Sequence, residues 1–213
     1  TNTLDVNNNL TIANGSLDVS TSPTYNIYIG GNWTNNAIFY PQVGTVIFDG
    51  NIVQTISRSA GETFYSLTVN NTGGGITLAN GNVVVSNLLT MTSGNINTGS
   101  FKLTIGTSVS TPGNISHTSG QVIGRLERWI NSTGTNYLFP VGSSNENHYA
   151  IIRPVSGLTS GSVVLRYIEG DPGSTGLPLE EGADSVILQF TKGYWDAVAL
   201  NGFACSNYNL SLL

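Results

Sequence analysis

The chain is 213 residues long, and only 9% of it is charged against 39% hydrophobic. Its polarity is carried by Asn, Thr, Ser and 26 glycines, which suit tight turns and short strands and are poor in helices, so an all-β chain is expected. Seven Lys and Arg against twelve Asp and Glu exclude a nucleic-acid partner, and no apolar run reaches the roughly 20 residues that membrane insertion by a helix needs.

From the N-terminus, apolar-polar-apolar triplets recur: Leu4-Asp5-Val6, Leu10-Thr11-Ile12, Leu17-Asp18-Val19, Ile27-Tyr28-Ile29, Val46-Ile47-Phe48, Leu67-Thr68-Val69, Ile76-Thr77-Leu78, Leu89-Thr90-Met91 and Leu103-Thr104-Ile105. A period of two sends the outer residues of most triplets to one face and the middle one to the other. Between the triplets stand turns such as Asn14-Gly15, Gly30-Gly31, Gly73-Gly74-Gly75, Asn80-Gly81 and Ser93-Gly94. Short strands with frequent glycine turns predict a β-solenoid, parallel β-helix-like, over residues 1–120.

The pattern also repeats at long range. Leu10 to Gly30 overlays Leu89 to Gly106, with Leu10-Thr11-Ile12 on Leu89-Thr90-Met91 and Ile27-Tyr28-Ile29-Gly30 on Leu103-Thr104-Ile105-Gly106. Such self-similarity marks units that bury their apolar faces against one another. Asparagines at the bends (Asn32, Asn35, Asn36, Asn70, Asn71, Asn95, Asn97) are expected to stack and cap strand ends.

Near residue 120 the character changes. Residues 1–120 hold six of the nineteen charged residues, and the strands predicted beyond them are longer: Val122 to Ile130, Tyr137 to Val141, Tyr149 to Val155, Ser162 to Ile168 and Ser185 to Phe190. Residues 121–213 are therefore expected to form an antiparallel β-sandwich-like domain or cap. Asn209 to Leu213 reads as a strand cut short, or as one that pairs with something else. Self-association, or contact with neighbouring domains of a larger protein, follows as the expected partnership.

The order Gly30-Gly31-Asn32-Trp33-Thr34-Asn35, Gly44-Thr45-Val46-Ile47-Phe48-Asp49-Gly50, Gln54-Thr55-Ile56 and Phe64-Tyr65-Ser66-Leu67-Thr68-Val69-Asn70-Asn71 resembles a repeat of large secreted and surface proteins of Bacteroidota-type bacteria. Phe139-Pro140-Val141-Gly142, Tyr149 and Gly193-Tyr194-Trp195-Asp196 resemble the β-sandwich segment that often follows it. The resemblance implies export, often by the type IX route, an extracellular or cell-surface location, and a role as stalk, adhesin or surface-layer component. It supplies no catalytic residues.

Candidate sites are few. Asp49, Arg58 and Glu62 form the only close charged group of the first half, expected as a surface ion pair. His117 and His148 lie on different segments without a nucleophile or ligands at metal spacing. Glu169, Asp171, Glu180, Glu181 and Asp184 are the calcium candidates, hard oxygen donors on a Gly-containing loop, and no other cofactor is implied. Among the aromatics, most of Trp33, Tyr25, Phe39, Tyr40, Trp129, Tyr194 and Trp195 are expected in the core, while Tyr28, the middle of its triplet, is the outward candidate for stacking on a glycan. The irregular spacing of Thr11, Thr68, Thr77, Thr90 and Thr104 argues against one regular threonine face. Cys205, the only cysteine, is expected as a small buried apolar residue.

The expectation is a non-catalytic extracellular structural protein, a surface adhesin module or a filament subunit assembling through β-strand edges. The alternatives are a carbohydrate-binding module and, third, a polysaccharide lyase-like enzyme.

Overall fold

A computed structural model describes residues 3–20, 22, 24–174 and 176–213, with Glu181 described by its backbone alone, and contains no helix among them. The first turn of a parallel coil is β1 (Thr3–Val6), β2 (Leu10–Ile12) and β3 (Ser16–Asp18), and the second is β4 (Asn26–Ile29), β5 (Trp33–Asn35) and β6 (Ile38–Tyr40). β7 (Thr45–Phe48), β8 (Gln54–Ser57) and the start of β9 (Glu62–Asn70) make the third. Long strands then bend round corners and serve two faces each: β9, β11 (Val83–Ser93) and β12 (Ile96–Ile105), with β10 (Ile76–Asn80) between the first two. β13 (Asn114–His117) and β14 (Val122–Ile130) complete about 6 turns.

Each triplet's outer residues point into the coil. Ile27, Val46, Leu67 and Leu89 stack in register on one face, and Val83, Leu103 and Leu126 on another, all buried. Burying one such side chain contributes about 1.5–3 kcal/mol, and a turn has no second layer to bury it against except the next turn. Trp33, Phe39 and Phe64 fill one corner of the coil, Trp33 standing edge-on to both phenylalanines with centroids 4.7 and 5.4 Å away. Phe64→Ala would leave a cavity there costing about 3–5 kcal/mol.

The long-range repeat lies differently from its sequence overlay. Leu10–Ile12 is on the second face of the first turn, whereas Leu89, Thr90 and Met91 are on the first face of the fifth. The overlay therefore matches one strand-and-corner step with another and does not match whole turns. A step is short enough, and the three faces alike enough, for them to share a pattern. The threonines are likewise spread round the coil: Thr68 and Thr90 are neighbours on the first face, Thr77 pairs Thr55 on the second, and Thr104 pairs Val84 on the third.

Asparagine side chains bind adjacent turns at the corners. Asn9, Asn32 and Asn95 accept from the backbone N–H of Asn32, Thr55 and Gln121 on the next turn, at 2.8 to 2.9 Å. Fully buried Asn71 donates to the Ile52 carbonyl and to Gln54, and accepts from the Gly73 and Gly75 amides. Gly75 has φ +81°, and a Cβ there would lie 2.0 Å from the Asn95 carbonyl oxygen, so the corner admits only glycine.

The hydrogen bonding runs through residue 120 without a break. β14 pairs in parallel with β12 on one side and antiparallel with β17 (Gly161–Glu169) on the other. β15 (Tyr137–Phe139) leads into Pro140 and Val141, where Val122 N–H donates to the Pro140 carbonyl, so buried Phe139 and Val141 cover the last turn. β16 (Ala150–Thr159) pairs with β15 and with β21 (Ala204–Leu212), while β20 (Gly193–Leu200) pairs with β17. The result is two facing sheets, β14-β17-β20 and β15-β16-β21, plus a small hairpin of β18 (Leu179–Glu181) and β19 (Asp184–Val186). The predicted strand Ser185 to Phe190 is a strand only as far as Val186. Asn209 to Leu213 is not a loose tail: most of it belongs to β21, paired with β16 on one side.

Candidate interaction site

The two sheets do not close on each other. Strict alternation along β17 and β20 turns Val163, Leu165, Gly193, Trp195, Ala197 and Ala199 toward the opposite sheet, because Val163 pairs Ala199 and Leu165 pairs Ala197. From β16 and β21 come Ile152, Tyr208, Leu210 and Leu212. Apart from Trp195, the inward residues of β20 are small, so a trough of about 500 Å3 remains, lined almost wholly by carbon. Tyr208 is 54% exposed and Leu210 49%, although both point inward. β20 and β21 are the last strands of their sheets, and the short Asn201-Gly202-Phe203 link holds their ends together. Two unpaired backbone edges therefore flank one apolar trough.

The edges differ in protection. β21, Ala-Cys-Ser-Asn-Tyr-Asn-Leu-Ser-Leu, has no charge and no proline, so nothing on it opposes a further strand. β20 carries Asp196, whose Oδ2 accepts from Arg166 at 2.8 Å on the outer face. At the opposite end of the molecule Leu4, Val6, Leu10, Ile12 and Leu17 line a second opening over the first turn.

Buried charge is used for cohesion. Glu62 is 2% exposed, and its Oε2 accepts from Trp33 Nε1 and Asn35 Nδ2 at 2.7 Å each, while Oε1 accepts from Arg58 and from the Thr63 amide. The expected surface ion pair thus has its carboxylate buried and its Arg58 side chain half-buried. The carboxylate sits inside because Glu62 alternates with inward Phe64, and Asp49 stays exposed just beyond β7. Glu127 is also buried, bonded by Lys102, Thr104, Ser162 and Asn201 where the coil meets the sandwich. Burial pushes its carboxyl up, but hydrogen bonds from Lys102 and Ser162, the Lys102 charge and the Thr104 hydroxyl outweigh this and hold it below 4.5.

The calcium candidates are not brought together. Glu169 Oε1 accepts from Asn145, Asp171 Oδ1 from the Gly173 amide and Gln189, and Glu180 and Asp184 lie on opposite strands of the β18–β19 hairpin. The Glu181 side chain lies outside what is described. Among the described residues no three Asp, Glu, His or Cys side chains converge. His117 Nε2 bonds the Gly120 carbonyl, and His148 packs on Tyr167 and Trp195 beside Glu146.

Tyr28 points outward from the first face, half-buried between Asp5 and Ile47. Trp33 and Phe39 are core as expected, whereas Tyr40 is exposed and Trp129, Tyr194 and Trp195 are half-buried. Cys205 is half-buried as well, because it sits on the open edge strand β21. Comparison with protein families, characterised proteins and solved structures returns no match.

Proposed function

We propose that the chain is a non-catalytic extracellular structural protein, an adhesin module or filament subunit that associates with copies of itself through strand edges. One observation carries the reading: β21 offers an unprotected, uncharged edge above inward apolar residues that remain half exposed. Adding a strand there satisfies backbone groups and covers Tyr208, Leu210 and Leu212 in one step. The buried carboxylates at Glu62 and Glu127 each spend their acceptor capacity on donors of the same chain, which suits cohesion better than proton transfer.

Sedimentation over a wide concentration range tests this. The unaltered chain self-associates, and Leu210→Lys, which points a charge inward from the edge, keeps it monomeric with an unchanged circular dichroism spectrum. A chain that stays monomeric at millimolar concentration overturns the reading. Carbohydrate binding is the second reading, favoured by the outward Tyr28 ring, and glycan-array binding lost in Tyr28→Ala would promote it.

A further inference from the structure

The stretch after β19 is out of keeping with its surroundings. Ile187, Leu188 and Phe190 are 66%, 79% and 83% exposed, although Val-Ile-Leu-Gln-Phe has the composition of a strand. Gln189 and Phe190 already reach the rim of the trough. Gly193 is in the ladder opposite Glu169, so only Thr191 and Lys192 separate Phe190 from β20. A two-residue link is the commonest connection of an antiparallel hairpin.

We propose that residues 186–190 close on the free edge of β20 as an added strand, forming a strap across the trough. The two-residue link sets the register. Phe190 comes opposite Gly193, Leu188 opposite Trp195 and Val186 opposite Ala197. Those three partners are the inward residues of β20, so the strap's apolar row falls over the trough while Ile187 and Gln189 stay outside. A slip of one residue would turn Gln189 inward and waste the match. Val186 then faces small Ala197, and Phe190 faces Gly193, whose surface the Tyr167 ring already covers, so Phe190 packs on that ring.

The other side of the strap is already occupied at its start. Val186 pairs with Leu179, so closure makes β19 an interior strand and β18 the new border of the sheet. β18 is three residues long and ends in Glu180-Glu181, the short charged border that keeps a sheet from growing further. Closure therefore pairs the free edge of β20, guards the β19 end of the new border with β18, and leaves β21 as the unprotected edge of the opposite sheet. The acidic residues that resemble a cation loop in sequence serve on this account as an edge guard.

The test is a disulfide. In a Cys205→Ser background, Ile187→Cys with Asp196→Cys places thiols opposite each other in the proposed register. The expected product is a monomer with an internal disulfide, found by mass spectrometry without reductant. No disulfide, or preferential formation with Trp195→Cys in place of Asp196→Cys, overturns the register. A disulfide between two chains overturns closure within one chain and gives the edge to a neighbouring copy. In the unaltered chain, hydrogen exchange at the Ile187 to Phe190 amides is expected to be at least about tenfold slower than for free peptide, and exchange at the free-peptide rate overturns the proposal without any substitution. Self-association through β21 is measured separately and stands or falls on its own.

Discussion

The indole N–H of Trp33 donates to Oε2 of Glu62 across 2.7 Å, joining the second turn of the coil to the third through a fully buried pair. The same oxygen accepts from Asn35, and Arg58 holds the other. Glu62→Ala would strand an indole N–H and an amide inside the coil and leave Arg58 without its counterion. The expected loss is about 3–5 kcal/mol in urea unfolding. Glu62→Gln, which keeps an acceptor, is expected to lose less than half of that, and equal losses would show that the charge matters more than the hydrogen bonds.

Glu127 makes stability depend on acid. Its folded pKa lies below 4.5 while its unfolded value is ordinary, so its contribution is complete above 4.5 and is lost as pH falls through the lower folded value. Lys102→Met removes the strongest of the groups that lower it. The melting temperature of the unaltered chain should fall more steeply than that of Lys102→Met between about pH 5 and about pH 3. Parallel curves would refute the assignment.

Arg128 is a buried cation with no carboxylate partner among the described residues. Its Nη1 donates to the Leu138 carbonyl at 2.8 Å, Nε has no hydrogen-bond partner among the described residues, and the guanidinium lies 5.5 Å from the Tyr137 ring centre. Burial lowers its pKa to about 10, with Tyr137 offsetting part of the effect. Arg128→Met keeps the volume and removes the desolvation cost, so stability should stay level or rise by about 1 kcal/mol in urea unfolding. A loss above about 2 kcal/mol would mean that the carbonyl and ring contacts outweigh desolvation.

The corners are expected to be less tolerant than the faces. Asn71→Leu would leave the Gly73 and Gly75 amides and the Ile52 carbonyl without partners, at a cost of about 2–4 kcal/mol. Thr68→Val, outward on a flat face, should change the melting temperature by less than about 2 °C.

Most of the coil is legible in the triplets, because a period of two together with glycine corners reports directly which side chains face inward. Glu62 is harder to place, because its charge points to the surface while its position points inward. Alternation from Phe64 puts it inside, and that signal is present in Glu62-Thr63-Phe64. The trough was not legible: Ala197 and Ala199 look like ordinary strand residues until Tyr208 and Leu210 are set across from them. Val186 to Phe190 shows the same limit from the other side. A strand needs a partner as well as a pattern, and nothing within Val186 to Phe190 itself says whether β20 is free to take it.

β14 belongs to the coil and to the sandwich at once, and that dictates how the molecule unfolds. One flank of β14 is bonded to β12 and the other to β17, so neither half can come apart without stripping a side of the same strand. Coil and sandwich are expected to melt in a single cooperative transition.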